Sequence, residues 1–342
     1  AAAIAVAKLI EQGNIQGEIA VIGCPAEEIT WGKVALQARG AFEGFDVILT
    51  SHGDYQNGAL SRPCYTASNG EFRFTGEASH SGNLSPRNAL SCTQTALTRV
   101  ESVLAAEFEK LRFNYIFRFS GFAPGVIPDE IRLWCAVRHE DFDTMRSAYA
   151  RVEAVFAETA AEYEVNLRSD LVAACRGYLP NNVVAGVLSD ALMQVGPPAW
   201  SADDIAFMEA LSANCSPDTP FALHRKLEYF DTGIDYYSQD DGDISWKLPL
   251  GRVNWAYPET VPIHHWAWTA LSGHPASHPG PLLASEALAL GAVELMARSD
   301  LVAAARQELE RRTHQIHIPG PEFGLFDVLT QHPEAFWDAS WT

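Results

Sequence analysis

The sequence predicts an α/β fold whose central mixed sheet is interrupted by an inserted α+β domain. Helical and strand-like segments alternate over the first sixty residues, and helical segments return after residue 181. Between them, segments follow the order strand, helix, strand, strand, helix, which is typical of an antiparallel sheet with helices on one face. The predicted organisation is therefore a first α/β part at 1–66, an insertion at 67–180 and a second α/β part at 181–342.

Short periodic segments define the first α/β part. Residues 2–12 have helical periodicity and end at Gly13, and the apolar run EIAVIG at 18–23 suits a buried parallel strand. A helix is predicted over 32–38 with Gly40 as its stop, and a second strand over 46–51. Strand, helix and strand in this order predict a βαβ unit.

Alternating strands and amphipathic helices define the rest of the chain. The insertion has predicted strands at 71–75, 113–119 and 131–138 and helices at 89–108 and 142–163. Later helices are predicted at 182–195, 202–213, 282–297 and 301–312, with a strand at 252–257. The tail from Ile318 is predicted to be an ordered surface extension.

Charge limits the possible partners of the protein, and cysteine usage indicates its compartment. The chain has 24 Lys and Arg against 43 Asp and Glu, a net charge of −19 that disfavours nucleic acid and anionic membranes. No basic segment precedes an apolar one, and apolar stretches such as 1–10 are too short to span a bilayer. The six cysteines are scattered without a C-x-x-C pair, as in reduced proteins, so we expect a cytoplasmic location.

Acidic side chains and a histidine follow two neighbouring predicted strands. Glu27 and Glu28 lie just past the run at 18–23, and His52 follows the strand at 46–51. Open α/β sheets bind ligands at the carboxyl ends of such strands. A carboxylate and an imidazole suit Zn²⁺ or Mn²⁺, while the second carboxylate stays free as a general base. Alternatively, the two glutamates merely begin a helix and favour its dipole.

Three further segments carry polar side chains in predicted loops. His80 lies in SHSG at 79–82, where a lone histidine is more often solvated than functional. Residues 238–246 form an acidic turn that lacks the ligand spacing of an EF-hand. His264 and His265 offer paired imidazoles beside Trp266, and the alternative is an ordinary polar pair at a domain junction.

Seven segments, in order, resemble the aminoacylase/carboxypeptidase metallopeptidases, family twenty of the metallopeptidases. They are GCPAEE at 23–28, FTGEASHSG at 74–82, PRNAL at 86–90, PGVIPD at 124–129, AVR at 136–138, DDGDISW at 240–246 and HHWAW at 264–268. The nearest branch is that of the aminobenzoyl-glutamate utilization protein B-like amidohydrolases, for which DGDISW is the most specific segment. The resemblance implies a catalytic α/β domain with metal ions and an inserted dimerisation domain.

The resemblance also implies a metal centre. Glu27 would be the general base, and Glu28, His52 and His264 would be metal ligands for Mn or Zn, one or two ions per chain. The metal would lower the pKa of water from 15.7 to about 7, and Glu27 would pass the proton to the departing nitrogen. In relatives the remaining ligands precede the first helix of this chain, so we expect them upstream of Ala1 in a longer natural protein.

Substrate contacts and a dimer follow from the same resemblance. His80 matches a histidine that reaches the partner subunit's active site and stabilises the oxyanion, so a homodimer or a higher oligomer of dimers is implied. Arg138 matches an arginine that binds a substrate carboxylate.

Three positions depart from the family's pattern. Trp31 stands where relatives have small glycines, which predicts stacking of a flat aromatic substrate unless this tryptophan only packs. Gly125 replaces an asparagine that contacts the reacting carbonyl, and Ile263 replaces a glycine before the last ligand histidine. Trp31, Gly125 and His265 join the predicted substrate-binding residues.

The predicted function is a metal-dependent hydrolase of a C–N bond in an aromatic amide or aminobenzoyl-amino acid, a small-molecule substrate. A near variant is an aromatic aminohydrolase that releases ammonia from an electron-poor amine such as a nitroanthranilate, which Trp31 and Gly125 favour slightly. A non-catalytic binding protein on the same fold is the alternative from another class.

Overall fold

The structure is a computed structural model that describes residues 1–29, 32–83 and 87–314. The helices are α1 (Ala2–Glu11), α2 (Gly32–Ala38), α3 (Ala89–Glu107), α4 (Phe142–Glu162), α5 (Asn182–Val195), α6 (Ala202–Cys215), α7 (Gly242–Ser245), α8 (Trp266–Ser272), α9 (Pro279–Ala297) and α10 (Ser299–Thr313). The strands are β1 (Ile48–Asp54), β2 (Asn57–Leu60), β3 (Thr66–Thr75), β4 (Ser79–His80), β5 (Arg112–Phe119), β6 (Val126–Ile127), β7 (Glu130–His139), β8 (Asn166–Cys175), β9 (Leu227–Phe230) and β10 (Leu250–Ala256). The predicted tail from Ile318 lies outside the described residues.

A mixed four-stranded sheet forms the centre of the α/β part, in the order β1-β10-β2-β9. β1 runs parallel to β10, β10 antiparallel to β2, and β2 parallel to β9. Leu188 of α5, Val253 of β10 and Leu283 of α9 belong to one buried apolar cluster, so these helices cover the sheet. The predicted fold class, an α/β domain with a mixed sheet, is confirmed.

The predicted strand at 18–23 is wrong. Residues 16–26 form neither helix nor strand, and the side chain of Val21 is 79% exposed. An apolar run becomes a buried strand only where a neighbouring strand supplies hydrogen bonds and a second layer covers it. This segment instead runs without helix or strand to the Glu27–Ile29 turn, which is a single turn of 3₁₀ helix.

The insertion forms a separate antiparallel sheet in the order β5-β7-β3-β8. Along β7 the side chains alternate between buried and partly exposed, because one face of the sheet packs on helices α3 and α4. Asn88 and Asp141 cap these helices by accepting hydrogen bonds from backbone amides of their first turns. The predicted antiparallel sheet with two helices is therefore present, and β8 is a further strand.

One apolar segment is longer than the sequence suggests. Pro275–Ala297 is, by length and composition, apolar enough to cross a membrane. In the fold one face of this segment packs closely on its neighbours: a Cβ atom at Gly280 would lie 2.7 Å from the Trp255 ring, and one at Gly291 would lie 2.8 Å from the Leu188 side chain. Such close approach shows α9 packed tightly onto β10 and α5.

Candidate metal centre

The two glutamates lie in a tight turn at the start of α2. Ala26 precedes the turn with a left-handed φ of 56°, and the amide of Gly32 donates to the Ala26 carbonyl at 3.4 Å. A Cβ atom at Gly32 would lie 1.5 Å from the carbonyl oxygen of Pro25, so only glycine lets the helix begin this close to the incoming chain. The turn leaves Glu28 exposed and Glu27 half-buried.

The acidic segment at 240–243 fixes the helix that follows this turn. The Asp240 carboxylate accepts one hydrogen bond from the Lys33 amide and one from Lys33 Nζ, each at 2.7 Å. Asp241 forms a buried ion pair with Arg252 of β10. Asp243 accepts from the amide of Arg176 at 2.9 Å. One short segment therefore joins α2, the central sheet and the chain returning from the insertion.

This setting changes the acidity of Glu27. Burial, the negative charge of Asp240 and a partial offset from Lys33 together raise its pKa to about 7. A carboxylate with such a pKa exchanges protons readily at neutral pH, which is the property a general base needs.

His52 lies near the end of β1, paired in register with Asn254 of β10. Its Nδ1 lies 2.6 Å from the carbonyl oxygen of Gly53, so Nδ1 carries the proton and donates it. The lone pair of Nε2 is then available to a metal ion. Burial, followed by the nearby Arg252 charge, lowers the pKa of His52, which favours the neutral ring that a ligand needs.

Glu28 and His264 face each other. Glu28 Oε2 and His264 Nε2 are 3.9 Å apart, although the residues are far apart in the chain. Both side chains are about three-quarters exposed, at 77% and 74%, so their attraction as an ion pair is weak. Two donor atoms on one Zn²⁺ lie roughly 3–4 Å apart. The pair therefore fits a shared divalent cation.

The structure brings together two of the three predicted ligands. Within residues 1–29, 32–83 and 87–314, no group of three His, Cys, Asp or Glu side chains is close enough to hold a metal ion. The electrostatic neighbours of His52 are Arg252, Asp54 and Asp241 instead. Carboxylate and imidazole donors suit a divalent cation, and His52 stays a predicted third ligand.

His80 and Gly125 lie side by side in the insertion. β4 pairs with β6, and the amide of Ser81 donates to the Gly125 carbonyl at 3.0 Å. His80 is exposed, and its Nδ1 accepts from the Gly82 amide at 3.0 Å. Nε2 therefore carries the proton and points a donor outward. This is the tautomer that stabilises negative charge on an oxygen atom.

The other predicted substrate contacts are dispersed. Arg138 is half-buried on β7, and among the described residues its buried Nε has no hydrogen-bond partner. His265 instead caps α8, because its Nδ1 accepts from the Ala267 amide at 3.3 Å. Trp31 lies outside the described residues.

Sequence reasoning assigned no role to several residues that hold the site. Asp240 and Asp241 lie in the acidic turn singled out above, but their partners Lys33 and Arg252 carry no motif. Tyr55 follows β1 and accepts a hydrogen bond from the Ile263 amide at 3.1 Å. Of these residues, only those of the acidic turn could have been recognised from the sequence, because several charges in a segment flanked by apolar residues are unusual.

Comparison with known proteins shows what this chain is similar to. Residues 66–164 match the peptidase dimerisation domain of M20 proteins. The chain is 27% identical to one of the subunits of the p-aminobenzoyl-glutamate hydrolase of Escherichia coli, over 94% of this chain and 74% of that protein. It is 24% identical to the Xaa-Arg dipeptidase of Mus musculus, over 86% of this chain and 62% of that protein.

Solved structures show the same fold. An aminobenzoyl-glutamate utilization protein from Klebsiella pneumoniae superimposes with a TM-score of 0.53 at 17% identity, over 86% of this chain and 66% of that one. A dinuclear metal-binding peptidase of the M20 family from Bacillus subtilis gives 0.51 at 16% identity, over 86% and 70%. The predicted resemblance is confirmed: this chain is similar to the M20 hydrolases, which supports a metal-dependent amidohydrolase.

Proposed function

We propose that this protein hydrolyses the C–N bond of an aromatic amide, with aminobenzoyl-amino acids as the first substrates to test. One arrangement carries the proposal: a half-buried glutamate stands directly beside a carboxylate that faces an imidazole. The named activity of the similar E. coli hydrolase supports this choice of substrate.

Glu28 and His264 would hold a divalent ion, Mn or Zn, with His52 as a further ligand. The ion, when bound, supplies positive charge that acidifies water and stabilises charge on oxygen. One or two ions per chain are expected, as in the dinuclear peptidase of similar fold.

Glu27 holds and moves the proton. Its carboxylate takes a proton from the attacking water molecule and delivers it to the departing nitrogen. With the pKa raised to about 7 by burial, the same group is both a usable base and a usable acid at neutral pH. Nε2–H of His80 donates to the developing oxyanion, and Arg138 binds the carboxylate of the amino-acid part.

The insertion is proposed to form a homodimer. β5 is the outer strand of its sheet, and Tyr115, Ile116 and Phe117 on it are 38%, 62% and 39% exposed. An exposed apolar edge strand is a template for pairing with a second chain. The match to a dimerisation domain over 66–164 supports this use. His80 would then act at the partner's site.

A cytoplasmic location and a small-molecule substrate complete the proposal. The thiols of Cys24, Cys64, Cys92, Cys135 and Cys215 form no disulfide, which suits a reducing compartment. The net charge of −19 disfavours nucleic acid and anionic membranes as partners.

Substitution of the general base tests the proposal. With Mn²⁺ or Zn²⁺ present, we expect Glu27→Gln to lower the rate of p-aminobenzoyl-glutamate hydrolysis about 10²–10⁴-fold, because no proton acceptor remains. The exposed Glu18 offers a matched control, Glu18→Gln, which is expected to leave the rate unchanged. Liberated glutamate is the expected product. Ammonia released from a nitroanthranilate would select the aminohydrolase variant, and equal rates in the two variants would contradict the role of Glu27.

A further inference from the structure

Tyr55 joins the two chain segments that carry predicted metal-binding histidines. It follows directly after β1, the strand that holds His52. Its phenol oxygen accepts a hydrogen bond from the amide of Ile263, the residue before His264, at 3.1 Å. Among the described contacts, this bond links the end of β1 to the turn at 262–265.

Both ends of this link are well fixed. The Asp54 carboxylate accepts from the Tyr55 amide at 2.6 Å and from Asn254 Nδ2 at 2.8 Å, which anchors the Tyr55 backbone to β10. The Tyr55 ring meets Trp268 of α8 edge-on, with centroids 6.0 Å apart. Packing therefore fixes the position of the Tyr55 ring, and with it the position of the hydroxyl group that meets the turn at 262–265.

His264 needs such support because of its backbone conformation. Its φ is 61°, in the left-handed region that residues with a Cβ atom rarely adopt. The amide of His265 donates to the Pro262 carbonyl at 3.3 Å, and the Ile263 amide points to Tyr55. This conformation places His264 Nε2 opposite Glu28.

We infer that Tyr55 is a positioning residue for the metal centre, whose hydroxyl group holds the turn that presents His264 to Glu28. The inference rests on the proposed function, since it assigns to the facing pair the role of metal ligands. In this role Tyr55 acts through the backbone amide of Ile263. Loss of its hydroxyl group frees the turn to relax while the ring still packs on Trp268.

The chain offers a matched pair of variants. Tyr55→Phe removes the hydroxyl group that meets the Ile263 amide. Tyr257→Phe removes a hydroxyl group from the same aromatic cluster, where it donates to Ser272 Oγ at 3.3 Å and the ring packs on Trp268. The two changes are chemically identical and share a neighbour, but only the first reaches the His264 turn.

Zn²⁺ and Mn²⁺ titrations of the purified metal-free protein by calorimetry test the inference. We expect Tyr55→Phe to weaken metal affinity about 10-fold, in the range for residues that orient a ligand. Tyr257→Phe is expected to bind like the wild type, and both variants to keep the thermal midpoint of the metal-free protein. In a His264→Ala background, Tyr55→Phe should weaken binding no further, because the ligand it positions is gone.

Other outcomes overturn the inference in distinguishable ways. Wild-type affinity in Tyr55→Phe, equal weakening in both tyrosine variants, or an additive effect with His264→Ala would each remove Tyr55 from this role and leave the proposed function standing. A wild-type protein that binds neither ion would overturn both.

Discussion

The inserted domain and the surroundings of the candidate metal centre bury different kinds of side chain. In the insertion, Phe72, Phe74 and Phe156 pack edge-to-face in a large buried apolar cluster. Around the centre, the buried set includes Asp240, Asp241 and Arg252, with exposures of 0%, 3% and 0%. An apolar core tolerates exchange among similar shapes, whereas a buried charge needs its partner.

The difference matters for how each region supports function. Under the proposed function the insertion presents an edge and a histidine on a stable sheet, which apolar packing of regular elements achieves. The centre has to hold irregular turns at 26–29 and 262–265, where φ is positive at Ala26 and His264. Directional hydrogen bonds and ion pairs suit this second task, because they specify geometry that apolar contacts leave open.

The largest effect is expected from breaking the buried ion pair between Arg252 and Asp241. Arg252→Met keeps a long side chain but leaves Asp241 buried without its partner. We expect it to lower the free energy of unfolding by about 3–5 kcal/mol, measured by urea denaturation. The control is Arg168→Met, which removes the Arg168–Asp170 pair on the surface of β8, whose side chains are 44% and 24% exposed; about 1 kcal/mol or less is expected. Equal losses of unfolding free energy in the two variants would show that the buried pair contributes no more than the surface pair.

The regular part of this comparison was predictable from the sequence. A helix predicted over 142–163 spans Phe142–Glu162, and the alternating strand predicted over 131–138 spans Glu130–His139. Such elements depend on periodic apolar residues, which are visible locally. β8 was missed because its first half, NLRSD, is polar and exposed at the edge of the sheet.

The centre was predictable only in part. Motifs indicated Glu27, Glu28 and His264 as candidates, but no local pattern indicates that Glu28 would face His264, or that Lys33 would meet Asp240. Ion pairs between distant segments depend on the completed fold, and charged residues carry no periodic signal of their partners. The apolar run at 18–23 shows the converse, since hydrophobicity without a neighbouring strand did not make a strand.

A charge placed on β5, the outer strand of the insertion, tests whether this strand forms the proposed dimer interface. Ile116→Lys is expected to raise the dissociation constant of the proposed dimer about 10-fold or more, because an edge lysine opposes strand pairing. Sedimentation velocity over a range of concentrations measures it. Ile4→Lys is the control, since Ile4 on α1 is 65% exposed and lies outside the insertion. A wild-type dimer constant in Ile116→Lys would place the interface elsewhere.

The smallest expected effect is a difference in pH dependence between two aspartates, one from each region. Burial raises the pKa of Asp243 to about 6, whereas the hydrogen bond from the Thr144 amide lowers the pKa of Asp141, the cap of α4. The stability that protonated Asp243 contributes is complete below the unfolded pKa of about 3.9 and is lost as pH rises through about 6. That of ionised Asp141 is complete above about 3.9 and is lost as pH falls through its lowered pKa.

Substitution by asparagine should therefore act with opposite sign at the two positions. Asp243→Asn keeps an acceptor for the Arg176 amide and cannot ionise, so its stability relative to the wild type should rise between pH 4 and 7. Asp141→Asn should lose stability relative to the wild type at pH 7, and this deficit should shrink below pH 4 as the wild-type carboxylate is protonated. Unfolding free energies at several pH values provide the measurement. If the unfolding free energies of the two variants changed with pH in parallel, burial of Asp243 would not disfavour its charge. The two regions would then not differ in how their aspartates titrate.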